Sequence, residues 1–106
     1  LPIFAVTAGT RAEAMRDVPT LQEEGFSSYE ASTWYGLFAP AGSPEAVLVR
    51  INAEIQKMLA QADIRQRLST VGLEPQGGSV QQFDRYFQQE IAKWAAVVKK
   101  TGLQAE

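Results

Sequence analysis

Residues 29–40 read YEASTWYGLFAP, and AGSPEAVLVRINAEI follows at once. A half-exposed strand alternates polar and apolar residues, but from Trp34 to Ala39 this run is apolar on both faces of an extended chain. Such strands are covered on both sides, as in α/β domains. Pro40 ends the run, and a Gly42-Ser43-Pro44 turn opens a helix. No partner strand of similar length stands elsewhere in the sequence, so the run and its surroundings are mismatched.

The totals narrow the field. A chain of 106 residues accommodates one domain of ordinary size. It is 45% apolar and 21% charged, with 10 Lys and Arg against 12 Asp and Glu. That balance carries no basic stripe for nucleic acid and no polybasic patch for a membrane surface. No apolar run approaches the ~20 residues needed to cross a bilayer. Without Cys there are no disulfides, thiolate metal sites or Cys nucleophiles, and without His the commonest metal ligand and general base are missing. The sequence starts at Leu1 with no signal-like segment, and so reads as a mature or internal piece.

Along the chain, Ile3–Val6 predicts a first short strand and Trp34–Ala39 a second. Between them GTRAEAMRDVPT is a polar connector, and Thr20-Leu-Gln-Glu23 has capping-box spacing for a short helix stopped by Gly25. Ser43 is placed as N-cap of the next helix, with Pro44 at its first position. Val47, Leu48, Ile51, Ile55, Met58 and Leu59 recur there at helical spacing, opposite Arg50, Glu54 and Lys57. A second capping box, Asp63 to Gln66, opens a shorter helix ended by Gly72. A third, Ser79 to Gln82, opens the longest helix, which runs to Gly102. On that helix Val80, Phe83, Phe87, Ile91, Trp94 and Val98 form an apolar stripe, expected to be core with Gln88 and Lys93 more exposed.

Taken in order, IFAVTAGTR, RDVPTLQEEGF, YEASTWYGLFAPAGSPEAVLVRINAEI, RQRLSTVGLEPQGG and a long helix ending KKTGLQAE form a recognisable set. From Phe4 to Ala105 the chain resembles the C-terminal part of the periplasmic substrate-binding receptors of tripartite tricarboxylate transporters, the Bug family. The resemblance implies an α/β fold, the C-terminal portion of a two-lobed (type II, Venus-flytrap) periplasmic binding protein. This portion would hold two main strands and three to four helices. Residues 1–25 would end the second lobe and make the return crossing, and residues 26–106 would form the C-terminal portion of the first. The doubly apolar 34–39 strand would then belong to a sheet whose other strands lie upstream.

The implied function is extracytoplasmic capture of a small organic anion, a di- or tricarboxylate, for membrane transporter subunits, without cofactor, metal or nucleic acid. Thr7, at a strand end before a glycine turn, is a ligand-binding candidate, as are Ser32, Thr33 and Trp34. The plainer reading has Thr7 bonding its own turn and Trp34 or Tyr35 packing between strand and helix. Asp17 reads as a solvated turn residue and Glu23-Glu24 as an exposed helix end. An enzyme is disfavoured by the missing His, Cys and Gly-x-Ser-x-Gly elbow. A self-standing helical interaction module without ligand binding is the alternative. Carboxylate binding by the isolated chain is expected to be weak or absent, and a homodimer by strand pairing or segment exchange is expected instead.

Overall fold

The computed structural model describes residues 1–104; the ends of the KKTGLQAE motif and of the 26–106 segment lie outside them. The described elements are a 3-10 turn at Glu13–Met15 and the helices α1 (Glu45–Leu59), α2 (Ala62–Thr70) and α3 (Val80–Thr101). They fall into two units, Leu1–Ala39 with Arg65–Pro75, and Pro40–Ile64 with the chain from Gln76.

In the first unit the expected strand at Ile3–Val6 is reduced to one parallel bridge, Val6 with Thr20. Val6 N–H donates to the Pro19 carbonyl at 2.8 Å, and its own carbonyl accepts from Leu21 N–H at 2.9 Å. Pro19, which has no N–H, serves here only through its carbonyl. Residues 34–39 form no ladder among the described residues. A strand is a pairing, and its backbone groups are satisfied by neighbours rather than by its own side chains.

The Thr20–Glu23 capping box forms, but on a single turn and not on a helix. Thr20 Oγ1 accepts from Glu23 N–H at 3.2 Å, and Glu23 Oε2 accepts from Thr20 N–H at 2.8 Å. The C-terminal end of α2, also in this unit, closes as a Schellman motif. Leu73 N–H reaches the Leu68 carbonyl at 2.9 Å and Gly72 N–H the Ser69 carbonyl at 3.0 Å. Just beyond, Glu74 Oε1 accepts from Glu13 N–H at 2.6 Å, placing a carboxylate at the start of the 3-10 turn.

In the second unit α1 packs on α3. Pro44, not Ser43, takes the N-cap position of α1. Ser43 Oγ instead donates to the Pro40 carbonyl at 2.8 Å and its N–H to the same oxygen at 3.2 Å, closing the turn. Asp63 likewise lies inside the first turn of α2 and does not precede it. The third capping box forms as expected: Ser79 Oγ accepts from Gln82 N–H at 3.1 Å, and Gln82 Oε1 from Ser79 N–H at 2.8 Å. The other end of α3 closes on Gly102 in the left-handed region. Gly78 sits at φ 136°, where a side chain would strain the backbone and press on Gln82 Oε1. Its carbonyl accepts from Asn52 Nδ2 and Gln56 Nε2, both at 3.0 Å, one turn apart on α1. These two amides tie the start of α3 to α1.

Burial departs from the expected pattern. Among the described residues no apolar side chain is fully buried; the buried residues are Thr20 and Glu90, 3% and 7% exposed. On α3, Ile91 and Trp94 are 49% and 44% exposed. Lys93 is half-buried rather than exposed. Glu90 holds an ion pair with Lys93 and accepts from Trp94 Nε1 at 3.0 Å, while the Lys93 ammonium stands 5.5 Å from the Trp94 ring centre. The stripe read as core is therefore half-buried at Val80, Phe83 and Phe87 and open at Ile91, Trp94 and Val98, because periodicity identifies a face without supplying what covers it.

Candidate functional site

The four candidate residues all lie in the first unit. Thr7 is exposed and follows directly on the Val6 bridge. Its carbonyl accepts from Ala31 N–H at 3.0 Å, which brings the 31–34 segment beside the strand end. Ser32 and Thr33 are exposed and Trp34 is half-buried; Tyr35 is exposed. The backbone thus gathers Thr7 and Ser32, from two separate motifs, at one edge of the unit. Hydroxyls and backbone N–H groups of this kind can hold a carboxylate through oriented dipoles without a fixed counter-charge.

The turn after Thr7 is tightly shaped. A Cβ on Gly9 would stand 3.0 Å from Glu30 Oε2 and 3.1 Å from its carboxyl carbon, so the Glu30 head rests on the glycine. Beyond it an open depression is lined by Gly9, Thr10, Arg11, Thr20, Gln22 and Glu23.

One ion pair dominates that depression. Arg11 Nε donates to Glu23 Oε1 and Oε2 at 3.1 and 3.0 Å, and a terminal guanidinium nitrogen reaches Oε1 at 2.8 Å. The other terminal nitrogen donates to the Arg16 carbonyl at 3.0 Å. Glu23 is therefore no free helix end. One carboxylate both caps the Thr20 turn and anchors the connector through Arg11. Hydrogen bonds from Arg11, and then from Thr20 N–H, hold the Glu23 carboxyl at about 2, against its ordinary 4.5. The same contact raises Arg11 above its ordinary value.

The sign of the pH effect follows from that lowered value. The unfolded chain takes up this proton near 4.5, the folded chain only near 2, so the stabilisation is complete above the ordinary value and is lost as pH falls toward 2. Urea unfolding midpoints of the chain and of Glu23→Gln are expected to converge as pH is lowered from about 5 to about 2. A constant separation across that range would show that the carboxyl keeps its ordinary value.

The Thr20-x-x-Glu23 spacing announced half of this arrangement. Arg11, twelve residues before Glu23, carried no local signal, since an ion pair across a loop depends on where the Val6–Thr20 bridge brings the connector. Glu74, 61 residues from the N–H it accepts from, was equally unreadable. Asp17 is exposed, in line with the solvated turn reading. Among the described residues no group of three or more acidic side chains could hold a metal, and no helix is long and apolar enough to cross a membrane.

The fold is that of two-lobed periplasmic binding proteins, of which the chain holds a part. It is similar to R. palustris Rpa4515, solved with adipate: 34% identity and a TM-score of 0.72 over 92% of this chain and 33% of that one. It is also similar to the periplasmic binding protein BugD, at 28% identity and TM-score 0.72 over 96% of this chain and 35% of the other. Among curated relatives, a UPF0065 protein from the tcbD-tcbE intergenic region of Pseudomonas sp. (strain P51) is 35% identical over 96% of this chain and 31% of its own length. Protein BugT of Bordetella pertussis is 28% identical over the same shares. The tripartite tricarboxylate transporter family receptor pattern, TctC, matches residues 1–103, and the chain belongs to that family. It spans about a third of the length of the relatives it matches.

Proposed function

We propose that this chain is part of an extracytoplasmic solute-binding receptor, not an enzyme, that captures a small di- or tricarboxylate and passes it to membrane transporter subunits. Family membership over residues 1–103 carries the reading. The ligand class draws support from the adipate named with the R. palustris neighbour, and the periplasmic location from the name of BugD. In this reading residues 1–25 close one lobe and return to the other, to which residues 26–106 belong. Thr7, Ser32 and Thr33 offer hydroxyls and N–H groups at the cleft edge, with Trp34 as a wall.

A binding protein closing between two lobes needs groups from both, and this chain covers about a third of a receptor. Calorimetry with adipate, succinate and citrate is therefore expected to show micromolar binding by a receptor of full family length. The 106-residue chain alone should bind at least a hundredfold more weakly, a loss of about 2.7 kcal/mol or more. Micromolar binding by the chain alone would put most of the site within it, and no carboxylate binding at full length would remove the receptor reading.

A further inference from the structure

A continuous set of bonds in the first unit joins the Arg11–Glu23 ion pair to the candidate ligand edge. Arg11 grips both oxygens of Glu23. Glu23 and Thr20 exchange two hydrogen bonds, and Thr20 is the more deeply buried of the two buried residues among those described. The carbonyl before Thr20 and the N–H after it hold Val6 from both sides. Val6 leads directly into Thr7, whose carbonyl holds Ala31 N–H, and Ala31 leads into Ser32. Every step is a hydrogen bond of 3.2 Å or less or a single peptide link.

We propose that Arg11 and Glu23 are positioning residues of the receptor: their ion pair fixes the Thr20 turn and, through Val6, sets Thr7 and Ser32 in register for the ligand. The proposal rests on the receptor reading above. Its physical basis is that a strand joined by one bridge has no ladder to hold its register, so whatever fixes Thr20 fixes Val6. The ion pair also replaces what a longer ladder would supply, a bidentate constraint on one end of the bridge.

Capping and ion pairing can be separated, because the chain contains its own control. In the Ser79 box the same reciprocal bonds are made by a glutamine, Gln82. Glu23→Gln therefore keeps the cap and removes the charge pair. Arg11→Lys keeps the charge and removes the planar two-pronged grip.

The experiment uses a receptor of full family length carrying this sequence, with adipate as probe and amide exchange at Ala31 as a second readout. Glu23→Gln and Arg11→Lys are each expected to weaken adipate binding about tenfold, with the double variant no weaker than the worse single one, since both remove one interaction. Ala31 N–H should exchange faster in each variant while the amides of α3 do not. Unchanged affinity and unchanged Ala31 exchange in Glu23→Gln would overturn the proposal, as would an affinity loss that adds in the double variant. A parent receptor that binds no carboxylate removes the receptor reading and this proposal with it. A parent that binds while the variants match it removes only the positioning role.

Discussion

At rising concentration the isolated 106-residue chain is expected to leave the monomeric state and form a homodimer through residues 34–39. The driving term is apolar surface. Tyr35, Leu37 and Phe38 are 79%, 70% and 57% exposed, and they stand in one six-residue run. Burying a large apolar side chain contributes roughly 1.5–3 kcal/mol, so covering three of them is of the size needed to offset the cost of association. The directional term is the backbone. An extended segment with no ladder among the described residues is a template for a second strand, and neither Lys nor an inward charge guards it between Trp34 and Pro40. A second copy brings the same segment, so pairing two of them is self-complementary, the condition for a closed dimer. Static light scattering over a dilution series, with Leu37→Lys as the guarded control, measures this directly. The parent chain should move toward twice the monomer mass while the variant stays at one. A chain that unfolds cooperatively as a monomer at high concentration would show that it closes its own core, and the reading of the 34–39 run would have to change.

What the sequence disclosed and what it withheld divide along one physical line. Reciprocal caps span three residues, and two of three formed: Thr20 with Glu23 and Ser79 with Gln82. The stop of α3 at Gly102 is equally local. Ser43 falls one residue short of the cap, which Pro44 occupies, and its hydroxyl donates to the Pro40 carbonyl within the preceding turn. The strands are the opposite case. Ile3–Val6 and Trp34–Ala39 have strand-like composition, but a ladder requires a neighbour, and among the described residues Val6 found only Thr20. At the candidate site the hydroxyl residues were legible by type and place, while Arg11 was not, because its partner is reached across a loop. The family resemblance, by contrast, was legible from motif order alone, since it asks only that the segments recur in sequence.

The open stripe on α3 yields the sharper energetic expectation. In the isolated chain Trp94→Ala should cost only about 1 kcal/mol, the worth of one hydrogen bond. The ring is 44% exposed, so the substitution chiefly removes its hydrogen bond to Glu90. In a receptor of full family length the same substitution should cost about 3–5 kcal/mol, the range for removing a core tryptophan. The difference arises because Ile91, Trp94 and Val98 repeat at helical spacing on a side of α3 that this chain leaves 44–49% exposed. A helix that concentrates apolar residues on one face while burying Glu90 against Lys93 is patterned for a neighbour on that face. The relatives are about three times as long as this chain. Urea unfolding of both proteins, parent and Trp94→Ala, isolates the effect as the difference between two differences. Equal costs near 1 kcal/mol in both would mean that the stripe stays open in the complete receptor, with about one hydrogen bond at stake. Equal costs above about 3 kcal/mol would mean that Trp94 is already core in the chain alone, contrary to its exposure here.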